Sequence, residues 1–213
     1  MEGVTDLSTP PRRTKAERGA ATRIRLLDAT VDCLVELGWA GTSTTEVVRR
    51  AGVSRGAQVH HYPTKEDLVL AAIDHLLARR HDEYGVAFEQ LPPERRTPAD
   101  ALELLWSECM GASFYAWLEL AVAARTSPAL RKRFVEVEYR FAELTTDRFQ
   151  ELFPETFADR EFAVIAMRMT FSLLDGLAIA RIAGFPDSHL EAVRAAFNLL
   201  TSPFVSPQQG AAP

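Results

Sequence analysis

The sequence TSTTEVVRRAGVSRGAQVHHYPTKEDL, residues 42–68, decides the fold of this chain. In its first part, Ser43 is followed three residues later by Glu46, a spacing at which the two side chains cap the start of a helix reciprocally. Gly52 comes directly after the apolar positions of that helix. Because glycine adopts the left-handed conformation without steric cost, the sequence predicts a short helix that ends there.

Two more helices are predicted after the turn at Gly52. Ser54 can cap a helix over residues 55–61, and Pro63 ends it because proline cannot continue a helix. Thr64 is followed three residues later by an aspartate, and this pair begins the next helix. A helix, a glycine-containing turn and a second helix form the helix-turn-helix pattern, whose second helix lies in the major groove of DNA.

This segment resembles the signature of the TetR/AcrR family of transcriptional regulators, approximately A-G-V-S-x-G-x-L-Y-x-H-F-x-x-K-x-x-L. Tyr62 replaces the usual Phe, and the direct matches are Ala51, Gly52, Val53, Ser54, Gly56, His61, Lys65 and Leu68. The resemblance is strong over residues 22–77 and is only architectural beyond them. It implies an all-α fold of about nine helices, with three N-terminal helices for DNA and a C-terminal domain that binds a ligand and forms a homodimer.

Two residues depart from that signature. Gln58 stands where the family usually has a core-facing Leu, and Val59 stands where it usually has a Tyr that contacts DNA. Either the helix is rotated slightly so that Val59 packs inward, or Gln58 takes part in reading bases. The sequence leaves both alternatives open.

The helix over residues 55–61 carries the residues that we expect to recognise DNA. Arg55 is its only long donor, and it can form a bidentate contact with guanine. Lys65 stands at the start of the next helix, where the helix dipole favours a phosphate. A dimer would bind a palindromic operator. The expected DNA-binding residues are Ser43, Thr44, Ser54, Arg55, Gly56, Ala57, Gln58, His60, His61 and Lys65.

The net charge of −5 is unevenly distributed along the chain. Residues 1–65 hold ten Lys and Arg against seven Asp and Glu, whereas residues 66–213 hold 14 against 22. A basic head on an acidic body orients the molecule toward a phosphate backbone. Residues 1–13 are polar and end in basic residues, which predicts a disordered arm that is either simply solvated or in contact with phosphates.

These patterns predict four parts along the chain. A disordered basic arm (residues 1–13) precedes a helix-turn-helix DNA-binding domain (14–66), a ligand-binding and dimerisation domain (67–202) and a disordered tail (203–213). Helical periodicity runs through the body, and no stretch shows the alternation of a strand. The helix that begins at Thr64 belongs to both domains, so it can act as a lever between them.

Large apolar residues in the body either line a cavity or form plain core. The resemblance implies that two helices, around residues 98–110 and 114–124, supply the walls of a ligand pocket. An aromatic, Met-containing lining suits a small hydrophobic effector. The candidate ligand-binding residues are Trp106, Met110, Phe114, Trp117 and Leu118. Four polar residues within apolar helices either form pairs or orient a ligand: Glu119, Arg125, Asp175 and Arg181.

The helix predicted over residues 160–183 is apolar on two sides, so both sides must be covered. One face carries Val164, Met167, Phe171, Leu174 and Ala178, and the other carries Ile165, Met169, Leu173, Leu177 and Ala180. The resemblance implies a homodimer built on the last two helices. We assign its interface to Val164, Met167, Phe171, Leu174, Val193 and Phe197.

Several function classes lack support in the sequence. The motifs of nucleotide, zinc-protease and serine-hydrolase sites are absent, and Cys33 and Cys109 lack metal or disulfide spacing, so no cofactor or metal is expected. No apolar run approaches the roughly 18 residues of a membrane span, which favours the cytoplasm. We interpret the chain as a ligand-responsive dimeric regulator, most simply a repressor. The alternatives are a helical interaction module without DNA binding and an all-α enzyme.

Overall fold

The computed structural model describes residues 14–109 and 111–205, without the side chains of 108, 109, 112 and 203–205. The expected arm and Met110 therefore lie outside the described residues. The described chain contains no strand and nine α-helices: α1 (Lys15–Gly41), α2 (Thr44–Ala51), α3 (Arg55–His61), α4 (Lys65–Glu89), α5 (Pro98–Cys109), α6 (Ala112–Ala124), α7 (Pro128–Leu152), α8 (Arg160–Ile182) and α9 (Asp187–Val205). The last helix is longer than expected, because it includes residues 203–205 of the predicted tail.

The helix ends are set by the local residues that the sequence singles out. The side chains of Ser43 and Ser54 each accept a hydrogen bond from the backbone N–H three residues later, at the starts of α2 and α3. Thr64 and Asp67 form a complete capping box at the start of α4. Gly52 ends α2 in the left-handed conformation, with φ 61° and ψ 38°.

One helix, α4, passes along three apolar cores. Leu68 is buried in the first core, together with Leu26 and Val47 of α1 and α2. The middle of α4, residues 69–77, packs in the second core with α1, α6 and α7. Its C-terminal part contributes Tyr84 to the third core, which α5, α7 and α8 complete. The N-terminal bundle therefore meets the body in two ways, through α4, which belongs to both, and through the packing of α1 against α6.

By length and composition alone, α8 is apolar enough to cross a membrane, although Arg168 and Asp175 interrupt its apolar residues. In this fold its inner face packs in the third core, where Met167 and Leu174 are buried. Its opposite face is exposed, with Ile165 50% and Met169 61% accessible. A helix that is apolar on two sides therefore has one side covered by its own chain.

Candidate DNA-binding surface and effector cavity

The outward face of α3 presents residues for a DNA groove. Arg55, Gly56, Val59 and His60 are all exposed, and they recur at the spacing of one helical face. Within the part of the chain that the structure describes, the Arg55 guanidinium has no ion-pair partner, which leaves all its donors for a base edge. Ala57 is half-buried beside them. Two residues depart from the expected DNA-binding set: Gln58, which was expected on this face, is buried, and Val59, which was not expected there, is exposed.

The N-termini of α2 and α3 present hydroxyl groups beside that face. Ser43 and Ser54 are exposed, and each already accepts a backbone N–H as the helix cap. A serine hydroxyl also carries a donor hydrogen, which stays available for a phosphate oxygen. Thr44 is half-buried at the first position of α2, next to the positive end of the helix dipole.

The arginines of α2 are neutralised by carboxylates. Arg49 binds Glu46 through two nitrogens at 2.8 and 2.6 Å, and Arg50 reaches both Glu46 and Glu36. The hydrogen bonds from Arg49 and Arg50 lower the pKa of Glu46 to about 2. Glu46 therefore stays ionised at any physiological pH. Arg55 is consequently better placed than either α2 arginine to meet a base.

Gln58 corrects the expected DNA-binding set. Its side chain is fully buried, and its Nε2 donates to the backbone carbonyl of Tyr62 at the end of α3. Val59 is instead 44% exposed on the outward face. Gln58 thus occupies the core-facing position that the signature gives to Leu, and neither alternative left open by the sequence is right. The helical register, rather than the polarity of the side chain, decides which residue faces inward.

The buried amide of Gln58 makes a stability prediction possible. Among the residues that the structure describes, its Oε1 has no hydrogen-bond partner, and an unpaired buried polar atom is costly. Gln58→Leu, of similar volume, is expected to raise the free energy of unfolding by about 1 kcal/mol in urea denaturation. Gln58→Ala, the control, is expected to lower it because it leaves a cavity. A Leu variant less stable than the natural protein would show that the bond to Tyr62 outweighs the unpaired oxygen.

Lys65 is held against the end of α1. Its Nζ donates to the Trp39 carbonyl at 2.9 Å and lies 4.3 Å from the centre of the Trp39 ring. Partial burial lowers the pKa of Lys65. An ammonium group has three donors, so two remain for a phosphate. His61 lies near Gly19 of α1, and its pKa is lowered by burial and by the neighbouring charges of His60 and Arg23.

A cavity of about 630 Å³ lies in the body between α4, α6, α7 and α8. This volume is within the range of small-molecule pockets. Its aromatic lining comes from three helices: Trp117, Phe134, Tyr139, Phe141 and Phe171. The rings of Trp117 and Phe134 lie 5.8 Å apart, and those of Phe141 and Phe171 lie 5.6 Å apart.

Three ionisable residues line the inner part of this cavity. Arg80 of α4 is buried, and its guanidinium lies 5.7 Å from the centre of the Phe141 ring. Glu138 of α7 accepts a 2.7 Å hydrogen bond from the Trp117 indole N–H. Burial and the charge of Glu138 raise the pKa of Asp175 to about 6, although Arg80 opposes them. Burial likewise raises the pKa of Glu138.

The cavity changes the expected ligand-binding set. Of the described candidates only Trp117 lines it. Phe114 is buried behind Trp117, with their ring centres 5.3 Å apart. Trp106 packs in the third core and under Arg194 of α9, and Leu118 does not reach the cavity. No described side chain of α5 is among the cavity's lining, because α7 and α8 supply most of its wall.

The expected dimer residues on α8 are also corrected. Val164, Met167 and Phe171 line the cavity, and Leu174 is buried in the third core. A face that packs inside its own subunit is not available to a second one. On α9, Val193 and Phe197 are half-buried on the side nearer the body, while Leu199 and Leu200 are 74% and 73% exposed.

The side of α8 that faces away from the third core carries what we call the exposed stripe, of which Ser172 also lines the cavity: Ile165, Met169, Ser172, Gly176 and Ile179. These residues follow one another at alternating steps of four and three, the spacing of a helix seam that packs against another helix. All five are exposed. Ser172 and Gly176 are small, and space around Gly176 is open, so a second helix can approach closely.

Comparisons with known proteins agree with the geometry of α2 and α3. Residues 26–72 match the model of the bacterial regulatory proteins of the tetR family. A helix-turn-helix transcriptional regulator of Mycobacterium tuberculosis is 32% identical over 170 residues, which cover 79% of this chain and 87% of the relative. The regulator CymR of Pseudomonas putida is 31% identical over 186 residues, which cover 87% of this chain and 92% of CymR.

A solved structure shows the same fold. The TetR-family regulator from Rhodococcus sp. matches with a TM-score of 0.68 at 19% identity, covering 88% of this chain and 100% of that one. The fold, the exposed recognition helix and these relatives define a DNA-binding transcriptional regulator and not an enzyme. The chain belongs to the TetR family of bacterial regulatory proteins.

Proposed function

We propose that this protein is a cytoplasmic, homodimeric repressor that a small molecule releases from a palindromic operator. The observation that carries the proposal is the juxtaposition, along one helix, of a DNA-binding bundle and a ligand-sized cavity. α4 begins beside the recognition helix with Lys65, and it lines the cavity with Leu77 and Arg80. The DNA-binding domain comprises residues 14–66 and the effector domain residues 67–202.

The proposed release follows from the two ends of α4. A molecule that binds better to one tilt of α4 than to another shifts the population toward that tilt, by no more than its difference in affinity. In a dimer, the tilt of α4 sets the distance between the two recognition helices. When the distance between the two recognition helices no longer matches two successive major grooves, the dimer contacts only one half-site. Most of its affinity for the operator is then lost.

The proposed DNA contacts divide into readers and anchors. Arg55 reads a guanine, Gly56 lets the backbone approach the groove, and Ala57 or Val59 can touch a thymine methyl. The anchors that hold the phosphates are Ser43, Thr44, Ser54, His61 and Lys65, whereas His60 is a second, weaker reader of bases. Anchors fix the register on the duplex and carry no sequence information themselves.

Arg55 and Lys65 are therefore expected to differ in their effects. Arg55→Ala should relax preference at one symmetric pair of operator positions, by about 1–3 kcal/mol of discrimination. Lys65→Ala should weaken all sequences alike and flatten the salt dependence by about one phosphate per subunit. The measurement is a binding-site selection, followed by affinities at several salt concentrations, starting from the DNA upstream of the protein's own gene.

Arg49→Ala is the matched control, since its guanidinium is already bound by Glu46. It should leave the selected sequence unchanged. Altered base preference for Lys65→Ala, or an unchanged preference for Arg55→Ala, would mean that α3 enters the groove in another orientation. Failure of the natural protein to select any sequence would favour the alternative of a helical module without DNA binding.

A further inference from the structure

We infer that the effector cavity selects a ligand with a positively charged ammonium group, held by Asp175 and Glu138 among the aromatic rings. The inference rests on the proposed function, because it names the chemical class of that effector. It goes beyond the hydrophobic ligand that the aromatic lining alone suggests.

The first step is the balance of charge inside the cavity. Asp175 from α8 and Glu138 from α7 provide two carboxylates, and Arg80 from α4 provides one guanidinium. The exposed charges at the rim, Glu143, Arg160 and Arg168, lie nearer to solvent, which screens them, and Arg160 is already paired with Asp147. With its three inner groups ionised, the interior therefore carries one uncompensated negative charge. An anionic ligand would meet two carboxylates there, and a cationic ligand relieves their mutual repulsion.

The second step concerns which carboxylate is available. Glu138 already accepts the Trp117 N–H, but one of its oxygens does not take part in that bond. Within the described residues, the Asp175 carboxylate takes part in no hydrogen bond or ion pair, although it is half-buried. A partly desolvated carboxylate without a partner is unfavourable, and an ammonium group supplies the missing charge.

The third step is the aromatic wall. The faces of aromatic rings carry negative potential and attract cations, most strongly where water is excluded. The cavity already shows this arrangement once, since the buried Arg80 guanidinium lies over Phe141. Phe171, Trp117 and Phe134 provide further rings around the remaining space. An ammonium group with methyl or aryl substituents fits both the rings and the carboxylates.

Proton linkage gives the pH dependence of such binding. In the free protein, burial and Glu138 raise the pKa of Asp175 to about 6 against the opposing charge of Arg80. A bound cation favours the ionised carboxylate and so lowers that pKa, which releases a proton at acidic pH. The affinity for a quaternary ammonium, whose charge does not titrate, should rise from pH 5 to pH 7 and then level off.

Two isosteric probes separate charge from shape. Phenyltrimethylammonium and tert-butylbenzene have the same outline and differ in one central atom, nitrogen or carbon, while benzoate is the anionic probe. Calorimetric titration of the natural protein, without DNA, should show the cation binding at least about tenfold more tightly than either other probe.

Asp175→Asn and Glu138→Gln should each weaken cation binding about tenfold and change tert-butylbenzene binding less than about twofold. Glu143→Gln at the rim is the control and should change neither.

The outcomes distinguish the inference from the function on which it rests. No binding of phenyltrimethylammonium, or tighter binding of tert-butylbenzene or benzoate, overturns the inference. If tert-butylbenzene binds and releases the protein from DNA while the cation does neither, the effector-controlled repressor stands and the charge assignment fails. If the cation binds through Asp175 but leaves DNA binding unchanged, the charge assignment stands and effector control by this cavity fails.

Discussion

If the proposed homodimer forms through α8, Met169→Glu is expected to convert it into a monomer and to remove tight operator binding. Met169 is the most exposed large apolar residue of the exposed stripe on α8, at 61%. If two stripes face each other across a two-fold axis, the substitution places two carboxylates in one apolar seam. Burying an unpaired charge costs several kcal/mol, so the dissociation constant of the dimer should rise at least about a hundredfold.

Sedimentation velocity over a micromolar concentration range measures this effect. The natural protein should sediment at twice the chain mass of 23.7 kDa, and Met169→Glu at the chain mass itself. Val86→Glu, on α4, is the matched control, because Val86 is similarly exposed at 55% but lies away from α8 and α9. A Met169→Glu protein that remains dimeric would place the interface elsewhere.

The position of Phe171 shows why the inner and outer faces of α8 could not be assigned from sequence. Both faces are apolar and helically spaced, and the neighbouring sequence does not indicate which face packs against α5 and α7. Only the packing decides, and it turns Phe171 into the cavity and Met169 outward. Both faces repeat in alternating steps of three and four residues, so the spacing of a helix seam does not separate them.

The helix ends were predicted well, because their causes lie within a few residues. Ser43, Ser54 and Thr64 cap α2, α3 and α4, as their side chains and spacing indicate. The long-range contacts were not predictable in this way. Asp175 stood out as a polar residue in an apolar helix, whereas Arg80 and Glu138 lie in helices rich in charge and gave no local sign that they line a cavity.

Gly38→Ala is expected to destabilise the protein by about 3 kcal/mol, whereas the same substitution at Gly85 should stabilise it. Gly38 breaks α1 with φ 67° and ψ −179°, a conformation that is essentially restricted to glycine. An added Cβ would also lie 3.0 Å from Glu119 Oε2 of α6. Gly85 is helical with open space around it, so alanine there gains about 0.5–1 kcal/mol of helix stability.

The turn at Gly38 is held between two helices that also line the cavity. Glu119 of α6 accepts the Trp39 backbone N–H at 2.6 Å, and Lys65 of α4 donates to the Trp39 carbonyl. The same two helices place Trp117 and Arg80 in the cavity wall. The turn is therefore a contact point between the body and the DNA-binding bundle. Substitutions that disturb it should affect DNA binding as well as stability.

A double-mutant cycle separates the backbone strain at Gly38 from its contact with α6. Glu119→Ala alone should cost about 1–3 kcal/mol, because it leaves the Trp39 N–H without its charged acceptor. In the double variant the added Cβ no longer meets a carboxylate, so only the strain of the backbone remains from the first substitution. The combined loss, measured by urea denaturation, should be smaller than the sum of the two by about 1 kcal/mol. Strict additivity would show that α6 and the Gly38 turn are not in contact in solution.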